Sequence, residues 1–188
     1  MGGTMELQID DVMLVPMYTI KVPTLLEFNR ANRFHIERNF PTKQKDFYTL
    51  EAHQRHVLES LLNFERGDAY NFAVVGKGRK MIARASLYRV LRDNYLNAHI
   101  SILVDYRHQH VGYGDKILKR LLKHAFEDLK LHKVSAEVMP TNFATVALLK
   151  KNGFVMEGVL RKSINVFGQW EDHAIYGLLN PNEPTVLD

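Results

Sequence analysis

The chain has 188 residues, a formal net charge of +4 and no cysteine. Such a length suits a single domain with a sizeable core, and residues 1–188 are read as one domain with peripheral tails at 1–10 and 181–188. The lack of cysteine excludes disulfides, cysteine-ligated zinc and any covalent intermediate on a thiol. The basic excess falls short of a dedicated nucleic-acid binder, and no apolar run reaches the roughly 18 residues of a membrane span. No signal peptide is expected, and Glu6 stands where a myristoylation signal after Met1-Gly2-Gly3 wants Ser or Thr. The expected compartment is the cytoplasm.

Val12 to Pro16 predicts a first strand. Pro23 suits the first turn of a helix, with Thr24 to Asn32 following and Asn39 to Lys43 as an interruption. Leu50 to Phe64 predicts a second helix, with Val57, Leu58, Leu61 and Leu62 at helical spacing and Gly67 at its end. His53 and His56 share a face of that helix. Without a metal-ligand spacing such as H-E-x-x-H, they read as solvated, and no metal is expected.

Tyr70 to Val75 and Met81 to Val90 predict strands around Gly76-Lys77-Gly78, and Leu96 to Val104 predicts the next. Ile117, Leu118, Leu121, Leu122, Ala125, Phe126 and Leu129 then form an i, i+3, i+4 stripe. On the same helix, Lys116, Lys119, Arg120 and Lys123 form a basic face, either solvated or available to a phosphate or RNA. Val134 to Met139 alternates as a strand stopped by Pro140. A shorter helix runs from Asn142 to Asn152-Gly153, and Phe154 to Val166 with Trp170 to Leu179 forms a final hairpin. The fold class is α/β (α+β): a mixed sheet of about seven strands with helices on both faces.

One loop carries chemistry. Val104-Asp-Tyr-Arg-His-Gln109-His-Val-Gly112-Tyr-Gly114 joins an apolar strand to the striped helix. Glycines at such a turn let backbone amides converge, and the helix N-terminus adds positive potential, which suits a phosphate or pyrophosphate. A P-loop is excluded because Asp115 and Lys116, not Lys-Ser/Thr, follow Gly114. A dinucleotide fingerprint is excluded by the two glycines and their position past mid-chain. By itself the loop is also compatible with a plain tight turn.

The Q-x-x-G-x-G pattern after a strand resembles motif A of the GNAT N-acetyltransferase superfamily. The stretch Asn142-Phe-Ala-Thr145-Val-Ala-Leu-Leu149-Lys-Lys151-Asn-Gly153-Phe154 resembles its second signature. Glu157-Gly158, Gly168-Gln169-Trp170-Glu-Asp172-His173 and the early stretch Asn29 to Pro41 resemble the RimJ/RimL-type ribosomal-protein N-terminal acetyltransferases. The resemblance implies a mostly antiparallel sheet with a splayed parallel pair at its centre. It also implies acetyl-CoA as cosubstrate, held by Ile102, Leu103, Val104, Gln109, His110, Val111, Gly112, Tyr113, Gly114, Asn142 and Lys151.

Acetyl transfer to an amine needs a neutral amine, a polarised thioester carbonyl and a proton for the departing thiolate. A backbone amide at Leu103 or Val104 would polarise the carbonyl. Many GNAT enzymes carry a tyrosine where this chain has Leu149, so that role does not carry over. Ribosomal-type relatives can have a serine at the position matching Thr145, and the resemblance thus implies the Thr145 hydroxyl as candidate acid, with Tyr113 as an alternative. Asn142 is a natural helix N-cap, and the resemblance adds a contact to the cofactor arm. The candidate bases are His99, whose imidazole titrates near neutrality, and Glu137; water-mediated deprotonation is a third route. A terminal α-amine, with a pKa near 8, needs less help than a lysine.

The acceptor site is expected from Arg33, Phe34, Glu37 and Phe40 of the early helices, with Trp170, Asp172 and His173 of the last hairpin. For Asp172 and His173 hairpin stabilisation competes with this role, and for Trp170 packing does. The arginines of the early segment disfavour a polycation. The expected activity is acetyl-CoA-dependent N-acetylation of a protein N-terminus, with a ribosomal protein or the ribosome as partner, by a monomer or homodimer without a membrane partner. Acetylation of a small amine (antibiotic, polyamine or amino acid), or a silent CoA- or RNA-binding module, are the alternatives.

Overall fold

The computed structural model describes residues 6–182. Its strands are β1 (Leu7–Ile9), β2 (Val12–Pro16), β3 (Tyr70–Val75), β4 (Met81–Leu91), β5 (Asn97–Val104), β6 (Lys133–Val138), β7 (Val155–Val166) and β8 (Gln169–Leu179). They form one sheet in the order β1-β2-β3-β4-β5-β6-β8-β7, antiparallel throughout except between β5 and β6. The eighth strand is β1. Residues 7–9, assigned to a tail, instead pair with β2 and bury Leu7. Residues 1–5 and 183–188 of the tails lie outside the described residues, and the Met1-Gly2-Gly3 reading lies there too.

The helices are α1 (Val22–Ala31), α2 (Arg33–Asn39), α3 (Leu50–Arg66), α4 (Tyr113–Lys123) and α5 (Phe143–Lys151). Asn32 separates α1 from the short, unanticipated α2. Its buried amide nitrogen donates to Phe28 O at 2.9 Å and to Asp105 Oδ2 at 3.1 Å, while its Oδ1 accepts from Tyr106 N at 2.9 Å. An asparagine that offers the chain these alternatives breaks a helix readily.

Thr49 caps α3 through Ala52 N, and Gly67 ends it in the left-handed region. Two readings of α3 need correction. Leu58 and Leu62 are 57% and 39% exposed, because the inward face is polar and turns His53 and Ser60 into the interior. His53 is accordingly not solvated: its ring nitrogens contact Asn29 Nδ2 at 2.8 Å and Thr49 O at 3.0 Å, and burial lowers its pKa. His56 is half-buried, and burial followed by the nearby Arg84 charge lowers it to about 4.

The stripe of α4 buries Ile117, Leu118, Leu121 and Leu122 against one sheet face together with Leu149 of α5. Its last stretch, His124–Asp128, widens into a π-turn in which buried His124 contacts Asp128 at 2.8 Å. A second core on the opposite face joins Leu25, Phe28 and Ile36 to Val15, Ala73 and Leu103. Helices thus cover both faces.

The feature that places the site is the parallel pair. β5 and β6 share only the rungs Asn97↔Lys133, Ala98↔Val134 and His99↔Ser135. Beyond them the strands diverge, and the β6-facing backbone of Ile100 to Val104 has no strand opposite. The splay implied by the resemblance is present, with the glycine loop at its wide end.

Candidate active site

The wedge opens into a cleft of about 560 Å³. Its floor is Ile100 to Val104 of β5 and Ala136 to Val138 of β6. Gln109, His110, Gly112 and Gly114 line one wall with Asn142, Thr145 and Leu148, while His35, Asn39, Phe40 and Pro41 close the other side.

At the loop end the chain presents backbone. Gly112 sits at φ +90°, and a Cβ there would meet nothing within 4 Å, so the loop faces open space. The first amides of α4 have no intrahelical acceptor and point outward with the positive end of the helix dipole. Gln109 leans on the strand end, donating to Val104 O at 3.3 Å. These features fit a pyrophosphate.

Of the remaining residues predicted for the cosubstrate, three stand off this lining. Val111 is 65% exposed. Tyr113 directs its hydroxyl to Asp11 Oδ2 at 3.3 Å. Lys151 pairs with Asp115 at 3.0 Å, beside Lys119 at 3.0 Å. The basic face of α4 is likewise partly neutralised, with Lys116 on Asp10 at 2.7 Å and Lys123 near Glu127 at 3.7 Å.

Asp105, the residue after β5, fixes the loop's entry. Its fully buried carboxylate accepts from Arg107 N and Nε, both at 2.9 Å, from Arg107 Nη2 at 2.8 Å and from Asn32. Burial alone would raise its pKa, but the bonds from Arg107 and Asn32 outweigh it and hold the carboxyl well below the usual range. Sequence reasoning missed both Asp105 and its partner Asn32.

Mid-cleft, Asn142 caps α5 by accepting from Thr145 N at 3.2 Å and donates across the cleft to Asn39 Oδ1 at 3.2 Å. Thr145 lines the cleft. Facing it on the sheet are Tyr88, Ser101 and Glu137, of which Tyr88 and Ser101 were not anticipated. Glu137 Oε1 lies 3.3 Å from His99 Nδ1 and 3.1 Å from Arg89 Nη1. His99 stands outside the lining, its ring tilted at 46° to that of Tyr88 with the centres 5.5 Å apart. Burial lowers the His99 pKa, and Glu137 opposes the shift.

The predicted acceptor residues divide. Phe40 and buried His173 line the cleft. Arg33 and Glu37, paired at 2.8 Å, turn to the other side of α2. There they line a second cavity of about 350 Å³ with Thr42, Lys43, Lys45, Tyr48 and Phe167. Phe34 and Trp170, 62% and 59% exposed, line neither cavity. Asp172 accepts from Lys162 N at 2.8 Å, filling the irregular part of the β7–β8 ladder. Among the described residues, no group of three His, Asp or Glu side chains could hold a metal ion. No described helix is long and apolar enough to cross a membrane.

Residues 12–155 match the acetyltransferase (GNAT) domain. The chain belongs to this family. It is similar to a probable N-acetyltransferase, YjcK, of Bacillus subtilis, with 31% identity over 84% of this chain and 88% of the relative. The GNAT fold is shared with a ribosomal-protein-S5-alanine acetyltransferase from Vibrio fischeri. That match has a TM-score of 0.88 at 23% identity and covers 96% of this chain and 100% of the other. A spermidine N-acetyltransferase from Vibrio cholerae, solved with CoA and spermine, gives 0.75 at 19% identity over 92% and 97%. The GNAT chain is therefore an acetyl-CoA-dependent N-acetyltransferase.

Proposed function

We propose that this GNAT enzyme acetylates the N-terminal α-amine of a protein, with a ribosomal protein as the favoured acceptor and the cytoplasm as its compartment. The observation that carries the reading is the charge of the acceptor side. Arg33, Lys43 and Lys45 line the second cavity with Glu37 as its one carboxylate, and Glu37 is already paired. A polyamine needs several free carboxylates to bind, so this surface disfavours a spermidine-type acceptor. The shared fold with a ribosomal-protein acetyltransferase supports the same acceptor class.

Transfer proceeds directly between two bound reactants, and holding them side by side supplies much of the acceleration. The glycine-loop amides and Gln109 hold the pyrophosphate, and the unpaired edge of Ile102 to Val104 takes the pantetheine amides as an added strand. An amide at Leu103 or Val104 donates to the thioester oxygen as its charge grows. The amine nitrogen bonds to the acetyl carbon and loses a proton toward the Glu137–His99 pair, by way of water. The lowered pKa of His99 keeps its imidazole neutral and able to accept. The carbon–sulfur bond breaks, and the thiolate takes a proton from the Thr145 hydroxyl. Water returns a proton to Thr145, so from the neutral amine the reaction releases no net proton.

Thiol release from acetyl-CoA tests the reading with four acceptors: Ala- or Ser-initiated peptides, N-blocked lysine peptides, polyamines and aminoglycosides. Turnover of the free α-amino peptides alone is expected. Turnover confined to a small amine overturns it.

A further inference from the structure

The acceptor side holds two cations without partners. Arg84 lies on β4, directly opposite Leu103 of β5, so the two side chains share the sheet face of the second core. Arg84 is outside both cavity linings and borders the cleft through Phe40, which lines it. Its guanidinium lies 5.6 Å from the centre of the Phe40 ring, and the Lys43 ammonium lies 5.9 Å from that same centre. Among the described residues neither has an ion-pair or hydrogen-bond partner. The nearby carboxylate, Glu37, is taken by Arg33 at 2.8 Å. The Tyr48 hydroxyl, in the same group, is buried without a partner.

The neighbours register the uncompensated charge. Burial and Arg84 bring Lys43 down to about 8 and His56 to about 4, and burial lowers Arg84 to about 10. Buried charge without a counter-charge is costly, and proteins seldom keep it where no ligand uses it. Arg84 and Lys43 flank Phe40, and the unpartnered Tyr48 hydroxyl lines the second cavity with Lys43. Two cations and a hydroxyl with no free carboxylate beside them make a receptor for an oxyanion.

We infer that the acceptor carries a carboxylate close to its reacting amine, and that Arg84, Lys43 and the Tyr48 hydroxyl hold it. The inference rests on the N-acetyltransferase reading and narrows its substrate class. Arg84 stands one cross-strand step from Leu103, so the carboxylate belongs within a residue or two of the amine. It is either an acidic side chain early in a peptide or the α-carboxylate of a free amino acid.

The test compares kcat/KM within matched pairs: Ser-Glu against Ser-Gln peptides, and serine against serinamide. A charged member favoured by about tenfold or more is expected in one pair, and which pair it is separates the two sources. In Arg84→Met the ratio should collapse toward one while acetyl-CoA affinity, read by calorimetry, persists. Its Tm should rise, because an unpaired charge has been removed. No charge preference, or a preference that survives Arg84→Met, overturns the inference. If no pair is turned over although acetyl-CoA binds, the acceptor reading has failed, and glutarate, a dicarboxylate without an amine, decides the site alone. A glutarate-dependent rise in Tm that Arg84→Met abolishes supports the site. An equal or absent rise overturns it. Lys43→Met gives the same readouts should Arg84→Met fail to fold.

Discussion

At the glycine loop the contacts on offer come from the main chain: the amides opening α4, the unpaired edge of β5 and a glycine that leaves them uncovered. At the acceptor end they come from long side chains of separate elements, with Lys43 and Arg84 of β4 beside Phe40 and Tyr48 lining the second cavity with Lys43. A main-chain site is indifferent to most substitutions and fails only where a Cβ intrudes. A side-chain site can be re-specified by one exchange. The construction suits a family that keeps one cosubstrate and changes acceptors.

The sharpest way to break this contrast is Gly112→Asp. The fold should survive, since the added atoms point into open space, although a non-glycine residue at φ +90° is strained. A carboxylate among the amides should weaken acetyl-CoA binding by about a hundredfold or more. Calorimetry beside circular dichroism decides it, and unchanged affinity removes the loop from the site.

Next in size is Asp105→Asn, which attacks the joint between the two ends. Asp105 ties the loop to Asn32 at the α1–α2 junction. Its loss should cost about 2 kcal/mol at neutral pH. The folded carboxyl titrates below its unfolded value near 4, so its stabilisation is present above about pH 4 and fades as pH falls further. Thermal melts of the two proteins should therefore differ at pH 7 and converge in acid. A constant difference would reject this role.

Thr145→Val tests the centre. It should lower kcat about tenfold while acetyl-CoA affinity holds, because only proton delivery is lost. An unaltered kcat removes Thr145 from the reaction. The smallest effect is a pH dependence at the acceptor end. Lys43 faces Arg84 of β4, Arg33 and Glu37 of α2, Tyr48 and Lys45 of its own loop, and His56 of α3. It loses its proton as pH rises through about 8. The preference for a carboxylate-bearing acceptor should shrink about two- to threefold between pH 7 and pH 9; a flat ratio excludes the ammonium.

The same contrast decided what the sequence revealed. The loop and α4 were legible because one short segment carries both the glycines and an uninterrupted stripe. The splay followed from resemblance to the family, and β5–β6 shows it. At the acceptor end Phe40 and His173 were legible in the cleft and Arg33 and Glu37 in the second cavity, but not Lys43, Tyr48 or Arg84, because these meet through packing. Arg84 reads as an ordinary strand arginine until Leu103 is known to stand beside it. Phe34 and Trp170 lie in the stretches that resemble the family, yet both are exposed. His53 and His56 misled because an inward polar face cannot be told from an outward one by period. Asn32 gave a helix-breaking signal whose partner lies 73 residues away.

The three-rung pairing of β5 with β6 has a thermodynamic consequence. A ligand lying in the wedge completes a ladder that the chain leaves half made, and only the folded chain offers that wedge. By mass action, acetyl-CoA at a hundred times its dissociation constant adds about 2.7 kcal/mol to the folded state. The lifetime of the enzyme in the cell is thereby tied to the acetyl-CoA pool: a starved cell loses catalyst as well as substrate.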